Sequence, residues 1–148
     1  MKIEDFLSPV EESEIVSAIA DAENHTSGEI RVHLEKKCKG DALDRAIKLF
    51  GKLKMHETRM NNGILIYVAV EDHKLAIFGD SGIHSIVGQS FWDEDIDLLI
   101  SYFKRNEYKE GIIEVVRRIG DKLHEHFPAD ATDNPDELDN TISFGEGS

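Results

Sequence analysis

An α/β layered domain, with a small mixed sheet and helices on both faces, is what the sequence predicts. Three patterns carry that prediction. Glu29-Ile30-Arg31-Val32-His33-Leu34-Glu35 alternates polar and apolar at every step, the signature of a strand with one buried face. Ile64 to Val70 is an unbroken apolar and aromatic run, as in a central strand covered on both faces. After the short polar turn Glu71-Asp72-His73, Lys74-Leu75-Ala76-Ile77-Phe78 returns as its hairpin partner.

The helices follow from caps and spacing. Ser8, Pro9 and Glu11 form the start of a first helix, with Ser8 capping and Glu11 completing a capping box. Val10, Ile15, Ala18, Ile19 and Ala22 then recur at helical spacing until Thr26-Ser27-Gly28 breaks the pattern. Asp41 caps a second helix whose apolar stripe is Ala42, Ala46, Leu49, Phe50 and Leu53. Gly79-Asp80-Ser81-Gly82 ends the third strand. Ile83 to Val87 forms a short helix or turn, and Ser90 caps a third helix carrying Phe91, Trp92, Ile96, Leu99, Ile100 and Phe103 inward. A fourth runs from Tyr108 to His126, burying Ile112, Ile113, Val116, Ile119 and Leu123, and Pro128 stops it. Residues 1–127 are thus one domain. Residues 128–148 carry six acids and no base, the composition of a disordered acidic tail in which only Leu138, Ile142 and Phe144 are fit to dock.

Charge excludes some functions. Seventeen Lys and Arg stand against thirty Asp and Glu, a net charge of −13, so phosphate backbones and anionic lipid are repelled while divalent cations and basic partners are attracted. Nucleic-acid binding and direct membrane insertion are not expected. The chain starts without the apolar run of a signal peptide and holds no stretch long enough for a membrane span, which leads us to expect a cytoplasmic monomer. The single cysteine, Cys38, rules out an intrachain disulfide and reads as an exposed bystander thiol between Lys37 and Lys39.

Topology then gathers oxygens. A helix between the first two strands implies a parallel, right-handed crossover, and the hairpin makes the third strand antiparallel. The starts of the first two strands and the end of the third therefore share one rim, where Glu29, Asn61, Asn62, Gly63, Gly79, Asp80 and Gly82 converge. Asp93, in the first turn of the third helix, reaches towards it. Grouped carboxylate and amide oxygens suit a hard cation, calcium or magnesium, and glycines let the backbone come close. The same residues also read as ordinary turn and capping chemistry. Thr58 and Arg59, just before Asn61, are placed to contact an anion held by the cation. The opposite rim carries Glu35, the loop 36–40, Glu71 and Asp72, either a second cation site or a solvated hairpin tip. His124-Glu125-His126 lacks zinc spacing, no HExxH occurs, and the tail fails as an EF-hand because Pro135 and Leu138 stand where a ligand and a glycine belong.

Several of these motifs recur together elsewhere. Ala22-Glu23 with Thr26 to Val32, then Asn62-Gly63 to Ala69, then Ala76 to Ile83 resemble the TPM domain, also called the thylakoid acid phosphatase domain. Tyr108-Lys109-Glu110-Gly111-Ile112 is similar to a motif in that family's last helix. The likeness spans residues 8 to 127. It implies a Rossmann-like α/β/α sandwich with a small mixed sheet of three to four strands. It also implies divalent-metal binding, calcium in plant relatives, and an acid phosphatase activity reported for thylakoid members. Other relatives serve in photosystem repair or as membrane-protein auxiliaries. Many carry a signal peptide and a C-terminal membrane helix that this sequence lacks, and it is more similar to short bacterial versions. The family's Asn-Gly and Gly-x-Gly turns fall on Asn62-Gly63 and Gly79 to Gly82.

Three functions follow as expectations. The first is a calcium- or magnesium-binding regulatory or interaction module, with Glu29, Asn61, Asn62, Asp80 and Asp93 as ligands. The second is a metal-dependent acid phosphatase acting on phosphomonoesters, with Arg59 stabilising developing charge and His56 or His84 moving protons. The third is an adaptor whose acidic tail recruits a basic or membrane-associated protein partner.

Overall fold

The computed structural model describes residues 2–129 and 142–145. Helix α1 is Pro9–Glu23, strand β1 Glu29–Glu35, helix α2 Ala42–Lys52, strand β2 Gly63–Ala69 and strand β3 Lys74–Gly79. Helices α3, Ser81–Lys104, and α4, Tyr108–His126, follow, and a two-residue strand β4, Ser143–Phe144, completes a sheet of order β3-β2-β1-β4. The pairing of β1 with β2 is parallel, that of β2 with β3 antiparallel, as the crossover and hairpin predict. The architecture is a mixed α/β sandwich.

Two cores lie on the two faces of the sheet. Ile30, Val32 and Leu34 of β1 and Ile64, Ile66 and Val68 of β2 pack with Ile15 and Ile19 of α1, Leu99 of α3, and Ile112, Val116 and Ile119 of α4. On the other face Leu65, Tyr67 and Ala69 pack with Ala46, Leu49 and Phe50 of α2. Both faces of β2 are therefore covered, as its apolar run requires. Ile3 and Leu7, ahead of α1, are buried and extend the first core. Val10 is 67% exposed despite its place in the helical pattern, because it lies in the first turn, before α1 meets the sheet.

Local chemistry sets the helix ends. Ser8 and Glu11 exchange the reciprocal bonds of a capping box, at 3.1 and 3.0 Å. Asp41 Oδ2 accepts from Asp44 N at 3.0 Å and caps α2. The third helix starts earlier than its pattern indicates: Asp80 is the N-cap, and the two expected pieces run as one element broken at Gly88, whose φ of 76° is left-handed. Gly88, the non-helical residue at the break, takes the place expected of Ser90 at the start of the second piece. The α3 and α4 helices are joined by Asp95, fully buried, whose carboxylate receives Arg118 Nε at 2.7 Å.

Part of the acidic tail is ordered into the sheet. Ser143 and Phe144 pair in parallel with His33 and Leu34, and Ile142 enters the first core. Leu138 and the rest of the expected disordered tail, residues 130–141 and 146–148, lie outside the described residues.

Candidate functional site

The rim expected from topology forms in the backbone. Glu29 pairs with Gly63, and Asp80 N donates to Gly63 O at 2.9 Å from the other side. Gly82 N donates to Asn61 O at 2.8 Å, and Glu29 N to Asn62 O at 3.4 Å. Three loops that together span more than fifty residues are thus tied backbone to backbone. Gly82 is required there because a Cβ would overlap the carbonyl oxygens of Met60 and Asn61, and Gly79 because a Cβ would overlap Trp92. Asn61 turns the chain into β2 with a φ of 51°, a conformation asparagine tolerates.

The side chains at this rim divide. Glu29 is 1% exposed at the head of β1. Asn62 is fully buried; its Nδ2 donates to Ser27 Oγ at 2.9 Å, and its Oδ1 is buried with no donor among the described residues. Asp80 spends Oδ1 on Ser81 N at 2.8 Å, while Oδ2 is buried with no donor among the described residues. Thr58 is buried, its Oγ1 accepting from Asn62 N at 3.2 Å, and Arg59 is exposed beside it. Asp93 is not brought into this group: it lies beyond the Gly88 break, exposed, with Oδ1 accepting from Gln89 Nε2 at 3.0 Å. Among the described residues no three His, Cys, Asp or Glu side chains are grouped to hold a metal ion, so carboxylates alone do not make a site.

Sequence reasoning missed a second constellation at the other rim. The polar side chains of β1 are covered rather than solvated, Arg31 in part and Glu29, His33 and Glu35 fully. Arg31, His33 and Glu35 pair with Leu65, Tyr67 and Ala69, so they share the face covered by α2, and His33 and Glu35 are 3% and 4% exposed. Glu35 receives Arg45 through Nε at 3.1 Å and through Nη2, and the Tyr67 hydroxyl at 2.5 Å. Burial alone raises the Glu35 pKa, but the bonds from Arg45 and Tyr67 outweigh it and hold the carboxyl below its ordinary range. Burial lowers the pKa of His33, and the nearby Glu35 offsets this only in part, so the imidazole stays neutral below its ordinary value of 6.5. Burial and the bond to Glu35 push the Tyr67 phenol up.

Cys38 belongs to this second group and is buried, 4% exposed, contrary to the exposed thiol expected. Asp72 Oδ2 accepts from Cys38 N at 2.7 Å, and Lys74 Nζ donates to the carbonyls of Cys38 and Gly40 at 3.0 and 2.7 Å. These contacts fold the 36–40 loop back onto the sheet. Beside it lies an open groove of about 860 Å³ lined by Glu35, Lys37, Cys38, Lys39, Arg45 and Lys48. The one signal in the sequence for this burial is the neighbouring strand: β1 lies beside β2, whose apolar run requires cover on both faces, and α2 between them supplies that cover. Glu29 and Glu35 are six residues apart along β1, about 20 Å, so the two rims are separate sites.

The sequence model of the TPM domain matches residues 2–122. The chain belongs to the TPM domain family. The BA42 protein of the psychrophilic bacterium Bizionia argentinensis is 49% identical, with a TM-score of 0.88 over 97% of this chain and 99% of that one. Two further solution structures share the fold at lower identity. The N-terminal domain of a P. gingivalis protein is 20% identical, with a TM-score of 0.70 over 82% of this chain and 81% of that one. The N-terminal domain of the cg2496 protein of Corynebacterium glutamicum is 14% identical, with a TM-score of 0.63 over 79% and 74%. No curated protein matches the chain. Among the described residues of this TPM domain, no helix is long and apolar enough to cross a membrane.

Proposed function

We propose that this TPM domain binds a divalent cation, calcium or magnesium, at the rim formed by Glu29, Asn61, Asn62 and Asp80, and serves as an interaction module. The observation that carries the reading is the pair of buried oxygens without a donor among the described residues, Asn62 Oδ1 and Asp80 Oδ2, on loops bonded through their backbones. A buried acceptor without a donor costs roughly 1–3 kcal/mol, and a cation held by either oxygen would remove that cost there. Glu29 would add a second carboxylate, and the carbonyl of Asn61 or water would complete the shell that calcium takes from oxygen donors. Asp93 would need a turn of the second piece of α3 to swing towards the rim. The N-terminus of α3 opposes a cation, and the charge of Asp80, which caps it, offsets this. When bound, the ion would supply a positive charge able to polarise an anionic oxygen, with Arg59 exposed alongside.

Hydrolysis of phosphomonoesters is the weaker alternative. Thr58, the hydroxyl in this loop, is buried and already accepts a backbone bond, so it is not placed to act as a nucleophile. The test is thermal unfolding of metal-free protein with added calcium or magnesium chloride. Binding to the native state raises Tm progressively with ion concentration. A Tm indifferent to both ions, or one that rises equally in the Asp80→Asn and Asn62→Leu variants, contradicts the proposal.

A further inference from the structure

The end of β2 opposite the proposed ion carries a cavity of about 490 Å³. It lies at the carboxyl end of a strand in a parallel pair, where open α/β sheets place small ligands, and its size is ordinary for such sites. Val70 and Leu75 enter from the hairpin, Ile100 and Phe103 from the last turns of α3, Phe6 from ahead of α1 and Tyr108 from the head of α4. Ile100 is 39% exposed, and the other five pack against the first core while only partly buried. Tyr108 sits between two rings, with the centroid of Phe6 at 4.8 Å and that of Phe103 at 5.0 Å, so the aromatic wall braces itself.

The exposed polar residues that line this cavity are all donors. They are His73, Lys104 and Asn106, and Asn106 spends Oδ1 on the Tyr108 hydroxyl at 2.9 Å, which leaves its amide Nδ2 to donate. Among the described residues no Asp or Glu lines it, although the chain has thirty acids against seventeen Lys and Arg. Acids do line the groove beside the 36–40 loop, the cleft beside Trp92 and the one between Phe91 and Arg118. Lys104 also differs from its neighbours. Arg105 pairs with Glu107, Lys109 with Glu14, and Arg118 with Glu94 and Asp95, whereas Lys104 has no acid partner among the described residues.

We propose that this cavity binds a small apolar carboxylate, its hydrocarbon part against Leu75, Ile100, Phe103 and Tyr108 and its carboxylate on Lys104, the Asn106 amide and His73. The chemistry of the lining selects that class. A sugar or nucleotide would bury hydroxyls against carbon with no partners, at a cost the apolar wall cannot offset. A cationic ligand meets Lys104 with no acid to balance it. One ammonium, one amide and one imidazole suit a single negative charge, whereas a phosphate dianion calls for more donors and is met bidentately by Arg. The site is independent of the proposed ion, because Gly63 and Ala69 stand roughly 20 Å apart at the two ends of β2.

The test titrates four probes with the same ten-carbon chain, decanoate, decanol, decylammonium and decyl phosphate, into the full metal-free chain, each below its micelle concentration. The methyl signals of Val70, Leu75 and Ile100 report occupancy. Decanoate shifts all three and binds at least about tenfold tighter than decylammonium, the scale of one hydrogen bond to a charged group. Lys104→Gln weakens decanoate about tenfold and leaves decanol unchanged, which a merely structural lysine would not do. Ile100→Trp, at an exposed helical position, fills the opening and weakens both. Methyl signals that ignore decanoate overturn the proposal, as does decanoate binding unaltered by Ile100→Trp. Equal binding of decanoate, decanol and decylammonium overturns it by showing a cavity blind to the head group. Decyl phosphate binding more tightly than decanoate overturns the choice of carboxylate. The wild-type arms decide even where a variant fails to fold.

Discussion

Arg45 holds the Glu35 carboxylate from the edge of α2 with two side-chain bonds, Nε to Oε2 at 3.1 Å and Nη2 to Oε1, while the Tyr67 hydroxyl closes on Oε2 from below. The fork joins α2 to the carboxyl end of β1, two elements whose apolar contacts run mainly through β2 and β3. It also keeps a buried charge satisfied at the mouth of the 36–40 groove.

Removing the cation exposes that dependence. Arg45→Ala leaves Glu35 buried without its main partner and destabilises the domain by about 2–3 kcal/mol. Tyr67→Phe removes one bond to a carboxylate that keeps Arg45 and costs less, about 1–2 kcal/mol. Urea unfolding of both variants with unchanged m-values checks the order. Equal losses contradict the geometry.

The pH dependence has two components of opposite sign. His33 titrates below its ordinary value of 6.5, so between 6.5 and its native pKa the unfolded chain holds the extra proton. Its contribution is present above 6.5 and is lost as pH falls. Glu35, Arg31 and Arg45 surround it, and of these Glu35 works against the shift. His33→Gln therefore flattens the decline in stability below pH 6.5, measured by urea unfolding at steps of pH.

Asp95 runs the other way. Burial pushes its pKa up to about 6 against the pull of Arg118, so the native state holds a proton that the unfolded carboxyl releases near 3.8. That stability is complete below 3.8 and lost as pH rises through about 6. Asp95→Asn removes this loss, and the difference between variant and wild type grows between pH 4 and 6. A difference independent of pH refutes the assignment.

The glycine pair in Gly79-Asp80-Ser81-Gly82 makes a steric prediction. Gly82→Ala forces a Cβ onto two backbone carbonyls that cannot rotate away and costs about 1–3 kcal/mol, loosening the rim. Gly51→Ala, with open space around it in an α2 turn, is neutral or slightly stabilising. Thermal unfolding of the two variants separates crowding from glycine replacement as such.

How far the sequence led depended on which forces each segment obeys. The parallel pairing of β1 with β2 was legible because Ile64 to Val70 demands cover on both faces and α2 supplies a crossover. The rim was legible for the same reason: Glu29 and Gly63 head parallel strands, and Gly79 closes the hairpin beside them. What escaped was burial of polar residues. Alternation in Glu29 to Glu35 describes a half-solvated strand, yet the polar half is covered and survives through Arg45, Tyr67 and Ser143, partners from 10, 32 and 110 residues away in the chain. No local pattern announces such pairing. The division at Gly88 was legible to within two residues, bracketed by the short piece ending at Val87 and the cap expected at Ser90, but the earlier start at Asp80 was not. Ile142 and Phe144 were legible as residues fit to dock the tail, but their pairing beside β1 was not, because the acidic surroundings dominate the composition.

The central claim is that an ion binds among the oxygens of the rim, and amide spectra of metal-free protein titrated with calcium and then magnesium test it most directly. The account predicts shifts concentrated at Glu29, Asn61 to Gly63 and Asp80 to Gly82, abolished by Asp80→Asn. Shifts confined to the acidic residues after Pro128, or spread evenly over the surface, would contradict it.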